Sequence, residues 1–295
     1  MKKIIILVSI YNDWKSAFKL LENIDSQITK WEAEVFVLMV NDASTEIMPA
    51  LDLNLKNIKS LRVMNMKKNN GHARCNATGL KYLIENENFD YVILMDGDGE
   101  DRPEELSMLY NKCRENPLKT VTANRISRSE GFIFKFLYMC HKIITYIFTG
   151  KLIRFGNYSC LPRSDAAKLV TQACIWSSFT GSVTKIIPER TFIPSIRGTR
   201  YFGPSKMNFF KLLLHSFSII AVFKLSVIVR STLFLIFYLI FIFNNLSFIT
   251  LLPLMAILVF LFSILIVSSR ENSAELNNSL SNINNIDILR NSDSG

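Results

Sequence analysis

Residues Tyr91–Asp101 read YVILMDGDGED, an apolar, β-branched-rich run that stops abruptly in a cluster of carboxylates. Tyr91–Met95 is short, follows the polar Glu87–Asp90 and leads into Gly97, so the pattern predicts a buried strand. Asp96 and Asp98 then emerge at the carboxyl end of that strand, where open α/β sheets place their ligands. Two carboxylates with one small residue between them suit a hard divalent cation, which takes oxygen ligands and usually brings a phosphate with it. A solvated Asp-Gly turn accounts for the same residues, and a lone DGD is a weak motif.

Outward from this stretch, the first half of the chain alternates strand and helix patterns. Ile4–Ser9, Val35–Val40, Leu61–Asn65, Tyr91–Met95 and Thr120–Ala123 read as strands; Trp14–Ser26, Ala73–Glu85 and Pro103–Glu115 read as helices. Pro103 opens the last helix, with Glu104 and Glu105 in its first turn. This alternation predicts an α/β domain whose mostly parallel sheet carries helices on both faces. The apolar stretch at the start, Ile4–Ile10, is short and no small-residue cleavage site follows, so a first strand is expected rather than a signal peptide. Beyond about residue 125 the alternation fades. Phe132–Phe148 is aromatic, with Lys135, His141 and Lys142 interspersed, and is expected to lie against lipid headgroups.

The 295 residues are 49% hydrophobic, with the apolar excess in the last third, and the net charge is +9. Lys119, Arg125, Arg128, Lys135, Lys142, Lys151 and Arg154 face one acid, Glu130, in their segment. Such basic, aromatic clusters fit nucleic acid or an anionic membrane. The C-terminal segments decide for membrane, and no nucleic-acid partner is expected. Val227–Phe243 and Leu246–Val267 are apolar runs of 17 and 22 residues, separated only by Asn244 and Asn245 and each near the length that crosses a hydrocarbon core. Lys206, Lys211, Lys224 and Arg230 before this hairpin, and Arg270 after it, mark its open side as cytoplasmic. The expected division is residues 1–205 as catalytic domain, 206–226 as interfacial helix, 227–268 as transmembrane hairpin and 269–295 as disordered tail, since Asn and Ser dominate the last segment. Five cysteines without CxxC spacing speak against zinc or disulfide frameworks.

In a parallel sheet, Ser9–Asp13 (SIYND) and Asn41–Thr45 (NDAST) leave their strands at the same edge as the DGD turn. An acid and an amide there suit a ribose diol or the edge of a base, and helix capping or turn formation accounts for each loop singly.

The order of SIYND, NDAST, NNGHARCNATGL (Asn69–Leu80) and MDGDGEDRPEEL (Met95–Leu106) is similar to family-2 glycosyltransferases with the GT-A fold. The membrane-anchored branch that acts on polyprenyl phosphates is the nearest likeness. RYFGPSKMNFFKLLLHS (Arg200–Ser216) resembles that branch's R-x-x-G-x-S-K stretch ahead of its membrane helices. The resemblance spans roughly residues 3–230. It implies a donor site of Tyr11, Asp13, Asn41, Asp42, Gly71, His72 and Arg74, with Asp13 and Asp42 on the nucleoside. It implies Mg²⁺ or Mn²⁺ held by Asp96 and Asp98 on the diphosphate of a UDP- or GDP-sugar, and an acceptor phosphate held by Arg125, Arg128, Arg200, Ser205 and Lys206. Asp101, with Glu100 beside it, is the candidate base if the acceptor is a hydroxyl. The first motif lacks the family's usual proline, and DGDGED replaces DxDLQD, so neither nucleotide nor acceptor is fixed by the motifs.

The implied function is inverting, metal-dependent sugar transfer to a membrane lipid, with polyprenyl phosphate favoured, by a multi-pass inner-membrane enzyme whose catalytic domain is cytoplasmic. A homo-oligomer is compatible with this reading. The alternatives are transfer to a hydroxyl of a lipid-linked glycan, and a catalytically silent membrane scaffold. The QxxRW motif of processive synthases is absent, Gln172–Trp176 reading QACIW.

Overall fold

A computed structural model describes residues 1–127, 132–204 and 209–291. The apolar run at the start forms β1 (Lys2–Ile10), followed by α1 (Trp14–Gln27), β2 (Ala33–Asn41), β3 (Ile58–Met66), α2 (His72–Asn86) and β4 (Tyr91–Asp96). Successive side chains of β1 point to opposite faces of the sheet. Ile4, Ile6 and Val8 pack with Leu20, Leu21 and Ile24 of α1, whereas Ile5 and Leu7 pack with Leu80 and Leu83 of α2. A strand buried on both faces explains why its sequence is continuously apolar rather than alternating. On the α2 side the approach is close: a Cβ on Gly79 would lie 2.7 Å from Leu7 Cδ1.

The chain continues through α3 (Leu106–Glu115), preceded by one 3₁₀ turn over Pro103–Glu105, then β5 (Val121–Ser127), α4 (Phe132–Thr149), β6 (Phe155–Pro162), α5 (Arg163–Val170), α6 (Phe179–Ile186) and β7 (Thr191–Ile196). The sheet order is β7-β5-β6-β4-β1-β2-β3-β8, where β8 is the C-terminal strand described below. β1 to β5 and β7 run one way, and β6 and β8 oppose them. The sheet is therefore mostly parallel, of the GT-A type, and it carries β1, β2 and β4 to one edge. β6 and β7 lie where the sequence alternation fades. β7 contains Pro194, which lacks a ladder donor and is tolerated because β7 is the outermost strand.

α7 (Phe209–Ala221) leads into α8 (Lys224–Ile242) and α9 (Phe248–Ser268), two apolar helices long enough to cross a membrane. Ser247 and Thr250 form a capping box that starts α9. Phe148 of α4, Phe217 of α7 and Phe260 of α9 meet at the root of this pair. Most of the large apolar side chains on α8 are exposed, among them Leu225, Val229, Phe237, Ile240 and Phe241, a surface no aqueous domain would present. Arg230, the charge inside the first apolar run, donates to the Ile147 carbonyl in the last turn of α4, where a cation complements the helix end.

The disordered tail expected over residues 269–295 is instead folded as far as Asn291, the last described residue. Ser273–Asn277 forms α10, and Ile283–Asn291 forms β8, antiparallel to β3. β8 has no apolar alternation and so carries no strand signal in sequence. It is held by backbone pairing along an otherwise open sheet edge, with Ile283, Ile286 and Leu289 packed against the core. Lys224 and Glu271, at the two feet of the α8–α9 pair, form an ion pair at 3.0 Å.

Candidate active site

Parallel β1, β2 and β4 place Ile10–Asp13, Asn41–Glu46 and Asp96–Asp101 side by side. Asp13 stands at the N-cap position of α1 but its side chain makes no capping bond. Its carboxylate instead takes Arg200 Nη2 at 2.5 Å, while Arg200 Nη1 lies 2.5 Å from Asp98 Oδ2. The guanidinium thus bridges the first and third loops. Arg200, expected on the acceptor phosphate, is held here by the carboxylates of Asp13 and Asp98, which converge on its planar fork.

The segment carrying Arg200 is docked on the acidic turn by its backbone as well. Tyr201 N–H donates to Asp98 O at 2.9 Å, Gly198 N–H donates to Glu100 O at 2.8 Å, and Arg197 pairs with Glu100. Gly99 is required at the centre: its φ is +90°, and a Cβ there would lie 2.7 Å from the Tyr201 ring.

Asp96 faces the opposite side. Its Oδ1 accepts from Asn157 Nδ2 at 3.0 Å and lies 3.2 Å from His72 Nε2. His72 Nδ1 is 2.7 Å from Ser9 Oγ. Burial raises the Asp96 pKa, but the hydrogen bond and charge of His72 outweigh it and hold the carboxyl well below the usual range. The same contact raises His72 against the lowering effect of its own burial. Asp98 is pushed up to about 6, first by burial and then by the charges of Asp96 and Glu100. Asp101 is pushed up to about 7 by burial and by Asp96. It is only 4% exposed, accepts the Asp96 N–H at 2.9 Å, and lies 3.6 Å from Arg125 Nη2.

Four carboxylates are thus crowded within six residues, each beside a basic side chain. Among the described residues no group of three or more acidic, His or Cys side chains could enclose a metal. The donor set fits a cation that completes its shell from a diphosphate and water, the ordinary habit of Mg²⁺.

The remaining expected residues divide clearly. Gly71 precedes α2 with φ +88° and open space where a Cβ would point. Asp42 is buried, and its two oxygens accept the N–H groups of Asn70 and Gly71 at 2.8 and 2.9 Å, so it shapes this loop. Asn41 is likewise engaged, donating to Asn65 and accepting Ser44 N–H. Tyr11 is exposed beside Asp13. Arg74, expected on the diphosphate, turns to the Trp176 ring and to Glu275 of α10, 3.3 Å away. The folded tail offers it an acid and an aromatic face. Arg128, Ser205 and Lys206 lie outside the described residues. Asn157 and Arg197 belong to the site without having been singled out from sequence. Asn157 needed β6 to be recognised, and FGNYS gives little strand signal.

The Glycosyl transferase family 2 model matches residues 5–176, more than half of the chain. Undecaprenyl-phosphate 4-deoxy-4-formamido-L-arabinose transferase of Proteus mirabilis (strain HI4320) is 24% identical over 218 residues, covering 72% of this chain. The chain spans 65% of that relative's length. Among solved structures, glucosyl-3-phosphoglycerate synthase from Mycobacterium tuberculosis, in complex with Mn²⁺, UDP and phosphoglyceric acid, matches with a TM-score of 0.53 and 13% identity, over 77% of this chain and 78% of that one. Mannosyl-3-phosphoglycerate synthase from Rubrobacter xylanophilus matches with a TM-score of 0.52 and 11% identity, over 75% and 72%. At these identities the structural likeness speaks to the fold. With the family match over the loops that build the site, it makes this chain a member of glycosyltransferase family 2.

Proposed function

We propose that the enzyme transfers a sugar, with inversion, from a nucleotide-sugar to a polyprenyl phosphate at the cytoplasmic face of a membrane. One observation carries this reading: the acidic turn is bound directly by residues 197–201, the segment that runs on into α7 and the two apolar helices. Donor chemistry and membrane anchor are thus joined through one continuous stretch of chain, with α7 between the docked segment and α8. The Proteus relative, named for transfer involving undecaprenyl phosphate, supports the acceptor class.

In this reading Tyr11 and Asp13 meet the nucleoside, while Asp42 and Asn41 shape the loops around it. Gly71 leaves room for the diphosphate at the amino end of α2, where exposed N–H groups favour anions. Asp96 and Asp98 hold a divalent cation. Mg²⁺ or Mn²⁺, when bound, neutralises the leaving nucleoside diphosphate as a Lewis acid. His72 and Asn157 fix the Asp96 carboxylate, and Arg200 adds positive charge beside Asp98. A lipid phosphate is already anionic and needs no base, only positioning, for which Arg125, Arg128, Ser205 and Lys206 are the candidates.

Transfer to a hydroxyl is the second reading, with Asp101, a buried carboxyl pushed up to about 7 by burial and by Asp96, as the candidate base. The two separate in one assay. Purified enzyme receives radiolabelled UDP- or GDP-sugars with undecaprenyl phosphate or the dephosphorylated alcohol, with and without Mn²⁺. Label should enter the phosphate lipid alone and only with metal. Equal transfer to the alcohol would overturn the lipid-phosphate reading.

A further inference from the structure

The C-terminal strand brings a carboxylate to the back of the nucleoside loops. Asp287 of β8 accepts from Asn65 Nδ2 at 2.7 Å, and its other oxygen accepts from Asn285 Nδ2 at 2.6 Å. Asn65 Oδ1 accepts from Asn41 Nδ2 at 2.9 Å, and Asn41 Oδ1 accepts the Ser44 N–H at 3.0 Å. Ser44 Oγ in turn accepts the Asn12 N–H at 2.9 Å, and Asn12 Oδ1 accepts the N–H groups of Thr45 and Glu46 at 2.8 and 3.1 Å. The chain of bonds therefore runs from the tail, across the carboxyl ends of β3 and β2, into both loops that flank Asp13.

Its direction is set by its ends. An ionised carboxylate only accepts and a backbone N–H only donates, so both intervening amides have one allowed orientation. The loops need such restraint, since Asn12 and Ala43 both hold positive φ, 50° and 53°, which side-chain-bearing residues adopt at a cost.

We infer that Asp287 is a positioning residue for the donor site, so that the strand after the apolar helices completes the nucleoside-binding loops. This rests on the donor reading of those loops given above. Asp287 touches neither nucleotide nor sugar; it acts through Asn65 and Asn41.

The test uses the full-length enzyme in detergent. Asp287→Ala should speed amide hydrogen exchange at Ser44 and Thr45 about tenfold while leaving β4 unchanged. It should raise the donor KM and the Kd for UDP or GDP together by about tenfold, the rate at saturating donor changing less than threefold. Asp287→Asn keeps one acceptor for Asn65 and should recover most of both effects. Should Asp287→Ala fail to fold, the same measurements on Asp287→Asn must still show a smaller shift confined to residues 41–46. Unchanged exchange at Ser44 and Thr45 in the variants would overturn the inference. If the wild type binds neither nucleotide, the donor reading falls instead, and the exchange result still decides whether Asp287 orders the loops.

Discussion

The two carboxylates at the end of β4 face different partners, and this sets their separate tasks. Asp96 is fixed by Asn157 and His72, whereas Asp98 meets Arg200 and pushes against its acidic neighbours. Either Asp96→Asn or Asp98→Asn should lower sugar transfer at least a hundredfold, on the order of 3 kcal/mol of lost transition-state stabilisation, with folding and membrane insertion retained. Full activity in excess EDTA would contradict this. Because Arg200 bridges Asp13 and Asp98, the proposed donor reading expects Arg200→Ala to raise the donor KM about tenfold, roughly 1.5 kcal/mol of lost charge-assisted contact, with the acceptor KM little changed. Arg200→Lys recovers only part, since a fork across Asp13 and Asp98 becomes a point charge. The raised carboxyls make a pH prediction whose sign follows from proton counting. With folded pKa values of about 6 for Asp98 and about 7 for Asp101, the native protein holds protons that the unfolded chain has released. Their contribution to stability is therefore present below the unfolded carboxylate range and is lost as pH rises through about 7. Thermal melts of metal-free enzyme should show Asp101→Asn gaining on the wild type as pH rises from about 4 to 7.5. Added Mn²⁺ should stabilise the wild type more at pH 7.5 than at pH 5.

At the scale of elements, the acidic turn works because a second segment is packed on it. Gly99 permits that contact, so Gly99→Ala should cost about 1–3 kcal/mol through its positive φ and loosen residues 197–201 together with the turn. Slower transfer combined with faster proteolysis near Arg197 would show it; an unaltered enzyme would mean that the Tyr201 contact is dispensable. β1, β2, β4, α1 and α2 were all legible in the sequence, because strands buried on both faces and helices with one buried face leave strong periodic signals. β6, β7 and β8 were not. β6 has Gly156 and Asn157 among its first three residues, β7 carries Pro194, and β8 pairs along the backbone without an alternating side-chain pattern. The site divides along the same line. Asp96, Asp98, Asp13 and His72 stand on legible elements, and Asn157 stands on an illegible one. Arg74 and Arg200 were legible as basic residues near the site, but Arg74 meets the Trp176 ring and Glu275 of α10, and Arg200, on a docked segment, reaches Asp13 and Asp98, contacts that only the tertiary fold supplies. Removing residues 270–295 should bare the β3 edge and the Arg74 face. The expected result is a protein that aggregates in detergent at concentrations where the full chain stays dispersed.

For the whole molecule, the pairing of β8 with β3 constrains how the chain meets a membrane. Residues on both sides of α8 and α9 belong to one sheet, so in the proposed membrane-anchored enzyme the segment between them would cross an even number of times. Two apolar helices of 19 and 21 residues joined by a short uncharged turn satisfy that as a hairpin. Lys224 and Glu271 pair at the feet, and Arg230 is taken up by the end of α4, so the charges gather where the helices leave the domain. The excess of Lys and Arg at the feet is the observation behind the proposed cytoplasmic placement of that side. The arrangement predicts opposite accessibility for its two ends. Of the five free thiols, four are buried, so replacing Cys140 by Ser leaves a quiet background for labelling. In that background a membrane-impermeant maleimide should label Asn244→Cys in intact cells, and should label Asn291→Cys only in inverted vesicles. Alkaline carbonate should leave the protein in the membrane pellet. Labelling of both positions from the same side would mean that α8 and α9 lie along the surface. The catalytic turn would then have to reach its lipid without a membrane-spanning anchor.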